Sequence, residues 1–343
     1  MTAVAIAERV RSATPLRATT AVTRTGPVEL EHGGRLDSCA TGFRLYGDHS
    51  NPVVIVLGGI SAGRHVASCA QDRSPGWWEP IVGDGRAMDT RRFAVLAVDY
   101  VGGPGASTGP AHADAPDPFP AVDTHDQAAA IVRAMDYLGI GRAHAVVGSS
   151  YGGMVALALG ARHAARVRRL VVVSAAHRSH PMATAIRSVQ RDVVRLGLET
   201  GRAADALRIS RGLAMTTYRT ATELAERFDG APAWTEHGPS FPVQEYLARC
   251  GARFVESFDP WSFLALSESI DLHRVDPSRV TVPTTLVAVE EDQLVPAWQM
   301  QSLYEALGAP ARMHVISSRY GHDAFLKEVE TVSGILSEAL DGL

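Results

Sequence analysis

The sequence predicts an α/β fold: a mostly parallel central sheet, helices on both of its faces, and a helical segment inserted late in the chain. Three observations predict it. Short β-branched apolar runs alternate with helix-length stretches. One of those runs ends in the turn Gly148-Ser149-Ser150-Tyr151-Gly152, with an apolar helical stretch directly behind it. Between about residues 180 and 273 the strand signal vanishes while amphipathic helical patterns continue.

Taken in order, Val53–Leu57, Phe93–Asp99, Ala143–Gly148, Leu170–Ser174, Thr284–Glu290 and Met313–Ile316 read as buried parallel strands, because a strand covered on both faces is apolar throughout. The more alternating stretches before Asn51 read as antiparallel edge strands. Thr124–Leu138, Gly152–Ala164 and Phe325–Leu340 are the helices that cover the sheet. Pro181–Arg195, Asp205–Thr217, Ala221–Phe228 and Pro242–Leu247 form a predicted lid, and proline and glycine clusters at Gly102–Pro120 and Asp229–Pro239 mark loops. The expected division is a frayed N-terminal arm over 1–24, a core domain over 25–179 and 274–343, and the lid over 180–273.

A chain of 343 residues, 46% hydrophobic and 20% charged, buries one sizeable core with room for an insertion. Its formal net charge of -4, with no block of lysine or arginine, excludes a nucleic-acid or anionic-membrane surface as its purpose. No apolar stretch approaches the roughly 18 residues of a membrane span. Cys39, Cys69 and Cys250 are far apart and never in C-x-x-C, which argues against a disulfide framework or a zinc knuckle and fits a reducing cytoplasm. No metal-spaced cluster appears, and Gly102-Gly103-Pro104-Gly105 lacks G-x-G-x-x-G spacing, so no cofactor is expected.

A G-x-S-x-G on a strand-to-helix turn is a nucleophile elbow: small residues two before and two after the serine permit a strained turn that lifts its hydroxyl off the sheet. Ser150 is therefore the candidate nucleophile. It needs a histidine to take its proton and a buried carboxylate to fix that histidine's tautomer. The run Thr285–Val289 ends in Glu290-Glu291-Asp292, followed by an apolar residue and a proline; Asp292, just past the strand end, is the expected acid, with Glu290 and Glu291 solvated. His322, after the last strand and before an amphipathic helix, is the expected base. Backbone N–H groups of Tyr151 and of Ile60, in the Gly58-Gly59-Ile60 turn after the first buried strand, are the expected oxyanion hole.

Beyond this triad the chain resembles the homoserine O-acyltransferases of the α/β-hydrolase superfamily, from about Pro52 to Lys327. The resemblance is carried by Gly76-Trp77-Trp78, Asp89-Thr90-Arg91-Arg92-Phe93, Gly102 to Pro110, Gly148 to Met154, Thr217-Tyr218-Arg219-Thr220 and Tyr320-Gly321-His322-Asp323-Ala324-Phe325. It implies an α/β-hydrolase fold, a triad on Ser150, Asp292 and His322, and homoserine binding through Arg211, Tyr218 and Asp323. An amino acid needs a cation for its carboxylate and an anion for its ammonium, and Arg211 and Tyr218, seven apart on one predicted helix, share a face.

The resemblance further implies a ping-pong transfer of an acyl group from acyl-CoA, a substrate rather than a cofactor, to L-homoserine in methionine synthesis, and a homodimer through the lid. The chain departs from the family at Leu57-Gly58-Gly59-Ile60-Ser61, where relatives carry histidine-alanine-leucine-threonine-glycine. Succinyl-using relatives carry an arginine two residues after the catalytic aspartate, and Leu294 stands there here, which tilts the expected donor to acetyl-CoA. Arg64 or Arg178 would otherwise meet a succinyl carboxylate. Serine differs from homoserine by one methylene, worth about 1 to 3 kcal/mol of discrimination, so a serine O-acyltransferase is a rival acceptor reading. A carboxylesterase of the same fold would use the same triad without needing Arg211, Tyr218 or Asp323. A non-enzymatic binding module would lack a triad member, and this chain has all three.

Overall fold

The run Val53–Leu57 is buried at every position because it is an inner strand whose two faces are both covered: Val53, Ile55 and Leu57 pack in one core cluster, Val54 and Val56 in the other. The computed structural model describes residues 15–112, 115–236 and 238–342. Through the first half these fold as β1 (Ala18–Thr25), β2 (Val28–Glu29), β3 (Arg35–Leu36), β4 (Cys39–Tyr46), β5 (Val53–Leu57), β6 (Ala94–Val98), α1 (Thr124–Tyr137), β7 (Ala145–Ser149), α2 (Tyr151–Arg162) and β8 (Leu170–Val173). The lid follows as α3 (Pro181–Glu199), α4 (Ala203–Tyr218), α5 (Ala221–Phe228), the hairpin β9 (Ala233–Thr235) and β10 (Gly238–Ser240), α6 (Pro242–Val255) and α7 (Pro260–Leu272). The chain then returns to the sheet with β11 (Thr284–Val289), α8 (Ala297–Ala306), β12 (Ala311–Ile316), α9 (Ala324–Lys327) and α10 (Val329–Asp341).

The eight-stranded sheet has the order β1-β4-β6-β5-β7-β8-β11-β12. From β6 to β12 every neighbour is parallel, while β1 and β4 add an antiparallel edge. Parallel order sends the carboxyl ends of β5, β7, β11 and β12 to one edge, which is where open α/β sheets build their sites. The expected parallel core is therefore present. The expected arm is not: from Ala18 onward it is β1, paired with β4 along its whole length, because Thr, Val and Thr there complete a ladder that β4 would otherwise leave open. Residues 1–14 lie outside the described residues.

Two local devices place the elbow. Helix α2 rides close on the sheet because a Cβ at Gly153 would lie 2.5 Å from the Ala175 Cβ, and one at Gly160 would lie 2.6 Å from Leu170 Cδ1. Helix α1 starts at a capping box in which Asp123 accepts from His125 N and Asp126 N while Asp126 answers to Asp123 N, an arrangement worth about 1 kcal/mol.

The lid spans the expected stretch but holds more regular structure than its sequence pattern indicated. Helix α6 runs on to Val255, α7 was not visible as a helix, and a short hairpin occupies the loop expected at Asp229–Pro239. The apolar residues of α7, including Phe263 and Leu266, are buried on several sides, so its periodicity is blurred. Helix α8 was also missed, and the predicted Phe325–Leu340 helix is broken at Glu328. Tyr151 OH and Ser269 Oγ share a 2.6 Å hydrogen bond that rivets lid to core, and within the lid Asp271 of α7 takes Arg187 and Arg191 of α3, each at 2.6 Å.

Candidate active site

Ser150 sits between β7 and α2 with φ 54° and ψ -124°, a conformation that costs a non-glycine residue of order 1–3 kcal/mol. Its neighbours explain why the turn closes. A Cβ at Gly148 would lie 2.2 Å from Gly152 O, and one at Gly152 would lie 2.3 Å from Leu57 O, so each contact is with immovable backbone. The two small positions of the motif are thus steric requirements, and they seat Ser150 at the positive end of α2.

Asp292 and His322 arrive from the ends of β11 and β12. Ser150 Oγ–H donates to His322 Nε2 at 2.8 Å, and His322 Nδ1–H donates to Asp292 Oδ2 at 2.8 Å. The other carboxylate oxygen, Oδ1, accepts from Leu294 N and Val295 N at 2.9 and 3.0 Å. A carboxylate only accepts, so the proton must reside on Nδ1 and the Nε2 lone pair must face the serine. Burial alone would push the imidazole down; the adjacent Asp292 charge and hydrogen bond, with Asp323 behind them, outweigh it and hold His322 above its ordinary value. Glu290 is exposed as expected, and Glu291, partly exposed, is also tied down. It accepts from Ser318 N at 2.7 Å and from Ser317 Oγ, tying the ends of β11 and β12 together.

The oxyanion loop, residues 58–64, lies across the elbow. Among the described residues no acceptor takes the N–H of Ile60 or of Tyr151, and both residues line the cleft with Ser150. Sequence reading missed what holds this loop. Gly58 O accepts both Tyr100 OH, at 2.7 Å, and Gly152 N, at 2.9 Å. Asp99 clasps the far end, accepting from Arg64 N at 2.9 Å and Ala106 N at 2.8 Å and pairing with the Arg64 guanidinium at 3.3 Å. A tyrosine next to an aspartate at a strand end carries no signal for this, because the partner residues Arg64 and Gly58 lie 35 and 42 residues away in sequence.

Between the sheet edge and the lid runs a cleft of about 800 Å³, solvent included, lined near Ser150 by Met154, Phe263, Leu294 and Val295. Arg211 and Tyr218, both on α4, point into it as their spacing predicted. The Arg211 guanidinium lies 5.2 Å from the Tyr218 ring and 4.7 Å from that of Phe254, and Tyr218 in turn lies 5.8 Å from the imidazole of His322. No carboxylate stands within 4.0 Å of Arg211 among the described residues.

Asp323 is different. It is not in the cleft wall: its Oδ2 is paired at 3.1 Å with Arg219, which the sequence left unassigned. Burial raises its carboxyl despite that cation. Arg64 is committed to Asp99 and is absent from the cleft wall, whereas Arg178 is part of it. Arg187 also faces the cleft; it shares the single carboxylate of Asp271 with Arg191, which leaves this part of the wall with one net positive charge. Among the described residues no cluster of histidine, cysteine and acidic side chains has the form of a metal site. Chemically, the arrangement is a serine nucleophile with its base, two free N–H donors, and a cation placed for a small anionic substrate.

Residues 52–329 match the α/β-hydrolase fold family. The chain is 45% identical over 298 residues, 87% of its own length and 78% of the relative's, to a homoserine O-succinyltransferase of Xanthomonas campestris pv. campestris. It is 32% identical over 356 residues, 92% of its length and 96% of the relative's, to a serine O-succinyltransferase of Litchfieldella anticariensis. In three dimensions it superposes on a homoserine O-acetyltransferase from Bacillus anthracis with a TM-score of 0.87 at 19% identity, over 95% of this chain and 98% of that one, a likeness of fold.

Proposed function

The chain belongs to the α/β-hydrolase fold family and, within it, to the homoserine O-acyltransferases, and from that premise we propose that it moves a succinyl group from succinyl-CoA to the hydroxyl of L-homoserine. The observation that carries the reading is Arg211: an unpaired guanidinium held between Tyr218 and Phe254 beside a Ser–His–Asp triad. An apolar ester would have no use for it.

In this mechanism Ser150 Oγ attacks the thioester carbonyl as its proton passes to His322 Nε2, and the developing oxyanion accepts from Ile60 N–H and Tyr151 N–H. His322 returns the proton to the departing CoA sulfur, leaving an acyl-Ser150 ester. The homoserine hydroxyl then gives its proton to Nε2 as its oxygen attacks the ester, and the proton goes back to Ser150 when the product leaves. Arg211 holds the acceptor's carboxylate, while Asp323, outside the cleft wall, keeps Arg219. The apolar wall of Phe254, Phe263, Leu294 and Val295 keeps water from competing for the ester. The product is the activated ester that methionine synthesis consumes.

The succinyl donor is favoured by the 45% identical relative and by the net positive wall at Arg187; Leu294 in the cleft favours acetyl-CoA, the alternative. CoA release is measured with two donors and with L-homoserine, L-serine or water as acceptor. We expect succinyl-CoA with L-homoserine to be fastest, and Arg187→Leu to lower kcat/KM for succinyl-CoA by about 10- to 100-fold while leaving acetyl-CoA near wild type. A faster acetyl-CoA rate transfers the assignment to acetyl, faster L-serine transfers it to serine, and turnover as fast with water as with any amino acid returns it to an esterase. A homodimer belongs to the same reading: Met182, Val189 and Leu196, spaced by seven on α3, are each more than half exposed on one face. So does a reducing cytoplasm, supported by three unpaired cysteines.

A further inference from the structure

At the rim of the cleft Arg178 stands opposite Arg274 in a backbone bridge. Arg178, beyond the end of β8, forms an isolated antiparallel bridge with Arg274, beyond the end of α7. Directly opposed residues in such a bridge send their side chains to the same face, with Cβ atoms about 5 Å apart, and like charges there are destabilising. Among the described residues neither guanidinium has an acidic partner within 4.0 Å, although the arginines of the neighbouring lid, Arg187 and Arg191, both do. Beside them, burial first and then the two guanidiniums depress the imidazole of His177, and its Nδ1 is buried without a partner. Both side chains are solvent-exposed, so water screens their repulsion, and two unpaired guanidiniums set side by side are free to take an anion.

The same rim carries an exposed indole. Trp298 is 59% exposed, and its ring meets that of His180, a cleft residue, edge to face at 5.7 Å. Next to it, Gln299 Nε2 donates to Arg178 O at 2.9 Å, which fixes the start of α8 against the arginine bridge. Guanidinium forks match phosphate oxygens, and a flat exposed ring stacks a nucleobase whatever its sequence context. Nothing in the acyl-transfer steps uses any of these groups.

We propose that Arg178, Arg274 and Trp298 form the docking site for the nucleotide end of the CoA donor, the pyrophosphate between the two guanidiniums and the adenine on the indole, so that the pantetheine arm passes His180 on its way to Ser150. The inference rests on the acyl-CoA reading above and places that substrate's far end, which no homoserine contact addresses.

The test is calorimetric titration of the whole protein with CoA alone, together with turnover of two donors: the acyl-CoA and the matching acyl-pantetheine thioester, which lacks the nucleotide. We expect Trp298→Ala to weaken CoA about tenfold, and Arg274→Glu, which gives Arg178 an internal partner, to weaken it by at least tenfold and to flatten its salt dependence. Both variants turn over acyl-pantetheine as wild type does. Unchanged CoA affinity in both variants, or an equal loss of turnover with the truncated donor, overturns the proposal while leaving the acyl-transfer reading intact. CoA bound through Trp298 by a protein that transfers no acyl group removes that reading and keeps this site. A wild-type protein that binds no CoA removes both.

Discussion

Deleting one oxygen at Tyr100 tests whether the oxyanion loop is positioned from behind. Tyr100 OH and Gly152 N both donate to Gly58 O, at 2.7 and 2.9 Å. Tyr100→Phe removes the first and leaves the second, so no buried polar group is orphaned and the stability cost is that of one ordinary hydrogen bond, about 1 kcal/mol. For a domain of this size that is a fall in Tm of roughly 2 °C. The catalytic cost is larger, because Ile60, two residues further on, loses one of the two anchors that aim its N–H. Complete loss of an oxyanion donor costs about 10²–10³ in kcat. With the Gly152 bond and the Asp99 clasp still in place the donor is displaced rather than lost, and about a tenfold fall in kcat is expected. KM for the acyl donor should stay within about twofold, since a ground-state carbonyl draws little from the hole. The assay is continuous CoA release with a thiol-reactive dye, paired with thermal unfolding. A kcat within twofold of wild type would refute the positioning argument, and a Tm loss many times larger than 2 °C would show that the hydroxyl serves the fold rather than the loop.

Two further outcomes follow from the triad. In Asp292→Asn the Oδ1 position still accepts from Leu294 N and Val295 N, so the amide NH2 must face His322 Nδ1; that reverses the tautomer, points Nε2–H at Ser150, and should lower kcat by about 10⁴ with Tm little changed. Retained activity would show that another group orients the imidazole. His322 must be neutral to accept the serine proton, and Asp292, overcoming the effect of burial, holds it above its ordinary 6.5. The kcat/KM profile should therefore rise with pH along a limb centred above 6.5, and in Asp292→Asn the residual limb should move to lower pH; a wild-type limb at or below 6.5 contradicts the assigned balance of charge over burial.

The elbow and the triad were legible in the sequence from local pattern and strand order, and Arg211 and Tyr218, singled out by the family resemblance, were placed on one face by helical spacing. A G-x-S-x-G between a valine-rich run and an apolar helix specifies its own steric conflict, at Gly148 and Gly152, whatever the rest of the chain does. Asp292 and His322 follow strands whose parallel order brings their ends to one edge. Arg211 and Tyr218 share a face through helical periodicity alone.

What only the tertiary structure decided is the choice of partners among charged and hydroxyl groups that sequence pattern leaves equivalent. Asp323 is held by Arg219, Arg64 by Asp99, Arg187 by Asp271, and Glu291 by two serines, while Arg178 and Arg211 are left unpaired in the cleft. Helix α7 was invisible for the related reason that a helix buried on several sides loses its polar stripe. Backbone geometry is set by neighbours in the chain, but an ion pair forms wherever packing brings opposite charges together. For this protein the sequence alone determined which serine, histidine and aspartate meet, and the folded chain decided which cations stay free for the substrates.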